Sequence, residues 1–140
     1  MFPTLDATAD TGQSPLTWSR VFPASPAQAQ LARRSLARIL DGHPAADDAA
    51  LCLSELAANA ILHSNSRQPG GHFIVRAEIR PGHRLRVEVH DGGGPWTCTP
   101  RKPDSPDGRG LLLVSTLTSA WGRTGSSDTG WIVWFEMDCR

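Results

Sequence analysis

With 140 residues, the chain fits one domain with a real hydrophobic core. Its formal net charge of +0 and pI near 7.0 give no reason to expect nucleic acid or an acidic membrane as a direct partner. No apolar run is long enough to span a bilayer, and Cys52, Cys98 and Cys139 are odd in number, widely spaced and without metal-ligand pairing, which points to a reduced, cytoplasmic protein.

Met1 to Ser14 has neither the basic start nor the apolar run of a signal peptide, and its small polar residues read as a flexible tail ahead of a single domain over 15–140. Leu16 to Phe22 alternates and is rich in aromatic and β-branched residues, so it is expected to be a strand at a sheet edge, closed by Pro23. Ser25-Pro26-Ala27-Gln28 has the form of a helix start, with Ser at the N-cap, Pro at the first helical position and Gln closing a capping box. That helix runs to about Leu40, with Ala32, Leu36, Ile39 and Leu40 as its buried stripe and Arg33, Arg34 and Arg38 in solvent.

A second helix is expected from about Ala45 to His63, with Asp47 and Asp48 in the first turn, where the helix dipole favours anions. Within it, Glu55 and Asn59 are four apart and share one face, set among the apolar Leu56, Ala57, Ala60 and Ile61. A carboxylate and a carboxamide oxygen on a rigid helix suit a hard cation such as magnesium, which takes oxygen ligands together with substrate phosphates. The helix alone does not separate that reading from a solvated Glu–Asn pair. Cys52, on the same helix, reads as a small core filler. His63 lies one turn beyond Asn59, where it either lines the same site or meets the helix dipole.

After a polar loop over 65–71, Phe73 to Ile79 and Arg84 to His90 form two strands around a Pro81-Gly82-His83 turn. Each has one apolar and one polar side, the pattern of an antiparallel sheet covered on one face. Asp91 continues the period of Leu85, Val87 and Val89, so it points toward the core, where a carboxylate needs a partner. Gly92-Gly93-Gly94-Pro95 follows at once, consistent either with an Asp-Gly turn or with close approach of backbone to a ligand.

Trp96 to Asp107 holds three prolines and reads as a surface loop or lid, with Asp107 facing solvent. Gly108-Arg109-Gly110 then opens a short buried helix from Leu111 to Leu117. Glycines there free backbone N–H groups for an anion, and Arg109 adds positive charge, although such a pair also serves as a plain helix cap. Ser119 to Arg123 and Trp131 to Met137 read as two strands joined by a hairpin loop. The tryptophans are assigned to core and sheet packing, and His43, His72, His83 and His90 lack ligand spacing.

The order of these features is more specific than any one of them. Ser54-Glu55-Leu56-Ala57-Ala58-Asn59-Ala60 with His63 resembles the N-box of the GHKL family of ATP-binding domains. Asp91-Gly92-Gly93-Gly94 stands at the first glycine box, and Gly108-Arg109-Gly110-Leu111 at the second. The resemblance covers the chain from about Leu16 onward, and within the family it is to the stand-alone anti-sigma-factor serine/threonine kinases of bacteria. It implies a two-layer α/β (α+β) sandwich, with a mixed, largely antiparallel sheet and helices on one face. It implies ATP and Mg2+ as cofactors, with Asn59 on the metal, Glu55 as general base, and Asp91 accepting from the adenine amino group. Gly93 would let the base lie close, while Gly108, Arg109, Gly110 and Leu111 would wrap the phosphates. The implied partners are a STAS-type anti-anti-sigma protein, a sigma factor, or both, and a homodimer through an edge strand is also within the pattern. The chain departs from the fuller pattern in its single Gly-x-Gly, in Pro95 and in a short lid. The alternative is a non-catalytic nucleotide-binding module that sequesters a regulatory partner. The sequence shows neither a phosphoacceptor-histidine helix pair nor a transducer domain.

Overall fold

A computed structural model describes residues 16–82, 84–94 and 106–138, apart from the side chains of residues 63, 67 and 106–111. The expected tail, most of the expected lid, Cys98, Cys139 and His83 lie outside the described residues.

Among the described residues, five strands form one sheet in the order β1-β2-β3-β5-β4. They are β1 (Leu16–Pro23), β2 (His72–Arg80), β3 (Arg84–His90), β4 (Ala120–Ser126) and β5 (Gly130–Asp138). All four pairings are antiparallel, so the sheet sits at the antiparallel end of the expectation. Three helices cover one face: α1 (Pro26–Ile39), α2 (Ala46–His63) and α3 (Pro106–Leu117). Helix α2 lies centrally, against α1, α3, β2 and β3.

Strand parity decides which side is dry. Phe73, Val75, Ala77 and Ile79 of β2 face the helices with Leu85, Val87 and Val89 of β3 and Val133, Phe135 and Met137 of β5. Phe22 pairs with Phe73 across β1 and β2, and their rings stack with centroids 5.5 Å apart. Each such fully buried side chain contributes about 1.5–3 kcal/mol of transfer free energy. The helices answer with Ala32, Leu36 and Leu40, and with Ala49, Cys52, Leu53, Leu56, Ala57 and Ala60 along α2. Cys52 is the core filler expected, and burial, with Asp48 and Glu55 nearby, pushes its thiol up to about 12.

The helix starts differ in detail from expectation. Ser25 is the N-cap of α1 and Pro26 leads the helix, but the Ser25 side chain makes no cap bond. Instead its backbone oxygen accepts from the N–H groups of Gln28 and Ala29. Ile39 is only partly buried, because the stripe closes on Leu40. Helix α3 begins at Pro106, two residues before Gly108. It is also less buried than expected: Val114 is enclosed, but Leu112 is largely exposed. No described helix is long and apolar enough to cross a membrane.

Candidate functional site

The site is built where the C-terminal end of α2 meets the end of β3. Past His63 the chain turns through a 3-10 segment, Asn65–Arg67, and two buried serines tie it down. The Ser64 hydroxyl donates to the Ala60 carbonyl at 2.6 Å and accepts from the Ser66 N–H at 3.0 Å. The Ser66 hydroxyl accepts from the Gly92 N–H at 2.8 Å, and the Asn65 N–H donates to the Gly93 carbonyl at 2.8 Å. Buried polar groups left unpaired cost about 1–3 kcal/mol each, so this chain of bonds fixes the helix end and the glycine turn to each other. The sequence reading gave 65–71 only as a polar loop. The signal available was Ser-Asn-Ser directly after a helix, residues that bond their own backbone.

Asp91 follows His90, the last residue of β3, and stands opposite Trp131 of β5, one step beyond the His90–Ile132 pair. Its N–H donates to the Trp131 carbonyl at 2.9 Å. The return bond is unusual: the Trp131 N–H donates at 3.2 Å to the carboxylate Oδ1 of Asp91, which also accepts from the Gly93 N–H at 2.7 Å. The side chain thus takes the place of a ladder carbonyl and is held in one orientation. Both bonds land on Oδ1, and Oδ2 is committed to neither. Burial pushes the Asp91 carboxyl above its ordinary value, against the opposing pull of these N–H groups, Arg123 and His90. The inward parity expected for Asp91 holds.

Gly93 has a positive φ of 85°, and a Cβ added there would lie 2.4 Å from the Ser127 carbonyl oxygen. The β4–β5 turn therefore requires glycine at this position, whatever a ligand also asks of it. Gly94 donates to that same Ser127 oxygen at 2.9 Å, and its own carbonyl accepts from the indole N–H of Trp131 at 2.8 Å. Trp131 thus belongs to the site, where the sequence reading had placed the tryptophans in core and sheet packing. Trp121 and Trp18 do pack against the core.

Glu55 and Asn59 lie on α2, both half-buried, one turn apart on the face expected. The Nδ2 of Asn59 is buried and has no hydrogen-bond partner among the described residues. A buried donor without an acceptor is costly unless something else supplies one, and a phosphate oxygen would. In that pose the carboxamide oxygen would stay available to a hard cation. These residues fit a magnesium-nucleotide. Among the described residues no group of three His, Cys, Asp or Glu could hold a metal by itself. A magnesium site of the expected kind has no need of one, since it draws on Asn and phosphate oxygens.

The second glycine pair is placed differently from expectation. Gly108, Arg109 and Gly110 lie inside the first turns of α3 rather than ahead of it, with Leu111 following. The first N–H groups of a helix have no intrahelical acceptor, so Gly108 retains a backbone donor there, whereas Arg109 is at the point where intrahelical bonding begins and Gly110 lies beyond it. The side chains of residues 108–111, like that of His63, lie outside the described residues.

Residues 22–137 match the family model of the histidine kinase-like ATPase domain. The comparison with curated proteins gave no match. Among solved structures, the chain is similar to the RsbU and RsbW domains of Rv1364c from Mycobacterium tuberculosis, with a TM-score of 0.68, 18% identity and coverage of 88% of this chain and 32% of that one. It is also similar to the EL346 blue-light activated histidine kinase of Erythrobacter litoralis, with a TM-score of 0.53, 29% identity and coverage of 67% of this chain and 30% of that one. The chain spans less than a third of either structure's length. The histidine kinase domain of EL346 gives a TM-score of 0.52 at 23% identity, covering 94% of this chain and 71% of that one. By the match over most of its length, the chain belongs to the family of histidine kinase-like ATPase domains.

Proposed function

We propose that the protein is an ATP-dependent serine/threonine protein kinase that acts as an anti-sigma factor and phosphorylates a STAS-type anti-anti-sigma partner. The observation that carries the nucleotide part is a pair of polar atoms with bonding capacity left over. These are the buried Asn59 Nδ2, without a partner among the described residues, and the Asp91 Oδ2, free of the bonds that hold Oδ1. The kinase part rests on Glu55, and the choice of partner on the resemblance to anti-sigma-factor kinases.

When bound, magnesium-ATP supplies a transferable phosphoryl group and a cation that neutralises its charge. The chain's own residues do the rest. Asp91 accepts the adenine amino N–H at Oδ2, which selects a purine with a donor at that position. Asn59 holds the phosphate end through its carboxamide, and the backbone N–H of Gly108 faces the same anion. Glu55 would accept the proton of an incoming serine or threonine hydroxyl, whose oxygen would take the γ-phosphoryl group as its bond to ADP breaks and ADP leaves.

The alternative, a nucleotide-binding module that sequesters its partner without phosphorylating it, draws support from α3. With the helix starting at Pro106, Gly110 has an intrahelical acceptor within reach and the phosphate cradle is thinner. Calorimetric titration with ATP, with and without magnesium, tests the site. The wild-type protein is expected to bind in a magnesium-dependent way, and Asn59→Ala and Asp91→Asn to lose binding. No binding by the wild type at millimolar ATP would overturn the nucleotide reading. Phosphate transfer to a partner isolated by pull-down then separates the two functions. Glu55→Ala is expected to keep ATP binding and lose transfer, and wild-type protein that binds ATP and partner without transfer would favour sequestration.

A further inference from the structure

Trp131 meets the glycine turn at two points. Its backbone N–H reaches Asp91 Oδ1 at 3.2 Å, and its indole N–H reaches the Gly94 carbonyl at 2.8 Å. Register places it on the same sheet face as Asp91, beside Val133 and Phe135. The Arg123 guanidinium of β4 lies over its ring, 3.8 Å from the centroid. The turn also lies close against β5: a Cβ at Gly130 would lie 2.7 Å from the Asp91 carbonyl oxygen, so glycine is required there. Backbone packing alone would be served by any residue at position 131. The second bond needs a side-chain donor that reaches past Asp91 to Gly94, and an indole N–H supplies it without adding an acceptor.

We propose that Trp131 is a positioning residue for purine selection: its indole N–H, backed by Arg123 stacked on the ring, latches Gly94 and so holds Asp91 where Oδ2 meets the exocyclic amino group of adenine. This rests on the reading of Asp91 as the adenine acceptor. The consequence is a division of labour. Asp91 carries the selectivity, and Trp131 sets how sharply it is expressed without touching the phosphate end. A carboxylate that must stay ionised while half-buried has much to lose from a mobile turn, since each orientation that forfeits the N–H donors makes its charge more costly.

The test compares ATP with inosine triphosphate, which carries a carbonyl where adenine carries the amino group and has the same ribose and phosphates. Calorimetry would be run on the wild type, Trp131→Phe and Asp91→Asn, and amide hydrogen exchange at Gly93 and Gly94 would be followed in nucleotide-free protein. Phe keeps an aromatic ring beside Arg123 and removes the five-membered ring that carries the N–H. We expect Trp131→Phe to unfold cooperatively, with a urea midpoint lowered by no more than a change of this small size brings. Its Gly94 amide should exchange roughly two- to tenfold faster, and its ATP affinity should fall by a similar factor, the scale of one net hydrogen bond. Inosine triphosphate should bind as weakly as to the wild type, so the preference for ATP narrows. Equal loss of both nucleotides, or an unchanged preference with unchanged exchange, would overturn the latch. A wild type that binds neither nucleotide would refute the adenine reading of Asp91, and the exchange measurement would still decide whether Trp131 holds the turn.

Discussion

The two faces of the sheet treat charge in opposite ways. On the face away from the helices, three glutamates each sit between two basic side chains. Glu78 meets Arg76 and Arg80, Glu136 meets Arg80 and Arg86, and Glu88 meets Arg86 and His90. Burial alone would raise Glu78 and Glu88, but these partners outweigh it and hold both carboxyls below their ordinary values. Arg86 also lies over the Trp134 ring, 4.4 Å from its centroid. On the helix face, the carboxylate of Asp91 is held above its ordinary value and the Asn59 donor has no described partner. Outer charges satisfy one another, whereas the inner polar groups are left waiting. The difference teaches where this fold gives up stability: at the groups proposed to meet the nucleotide.

The comparison is broken most severely at the core the inner face also carries. Phe73 is fully buried and stacked on Phe22, so Phe73→Ala is expected to cost about 3–5 kcal/mol in urea unfolding. Ile74, its neighbour on the outer face, is only partly buried, and Ile74→Ala should cost distinctly less. Equal losses at the two positions would mean that the outer face is a second core.

Next come the site residues, where function and stability should move in opposite directions. Asp91→Asn presents a donor where an acceptor is needed and should weaken ATP binding by about a hundredfold or more. Its carboxylate is raised by burial, so its ionised form destabilises the fold at neutral pH, and the urea midpoint of Asp91→Asn at pH 7 should not fall. Asn59→Leu removes a buried, unpartnered donor and should gain about 1 kcal/mol while losing magnesium-dependent binding. A drop in stability for both variants would show that these groups are structural.

Much of this division was legible from sequence because it is local. The period of two along Arg84 to His90 assigns three residues to the inner face and four to the outer, and Asp91 inherits its direction from that period. The four-residue spacing of Glu55 and Asn59 is likewise a property of one helix. What was not legible depends on long-range pairing. The indole of Trp131 bonds a carbonyl 37 positions away, and Ser66 reaches Gly92 across 26. No periodicity records either bond. The start of α3 was misplaced for a different reason. Gly108 and Gly110 each cost a helix about 1 kcal/mol relative to Ala, which argues for a start after them, whereas Pro106 suits a first helical position and prevailed.

The smallest expected effects are the most diagnostic, because the two faces answer pH in opposite senses. Glu78 and Glu88 have folded values below the ordinary 4.5, so their contribution is complete above that pH and is lost as pH falls through the folded values. Asp91 has a folded value above the ordinary 3.8. Its penalty is absent well below that pH and grows as pH rises through the folded value. The windows overlap only between the two ordinary values, so the faces can be separated along one titration of stability. Glu78→Gln should lower stability at pH 7 by about 1 kcal/mol, since two guanidinium groups lose a half-buried partner, and should flatten the decline below pH 4.5. Asp91→Asn should leave that acid decline in place and remove the loss of stability that sets in as pH rises above 3.8. If Glu78→Gln instead altered the neutral limb, or Asp91→Asn the acid one, the assignment of satisfied charge to one face and unsatisfied charge to the other would be reversed.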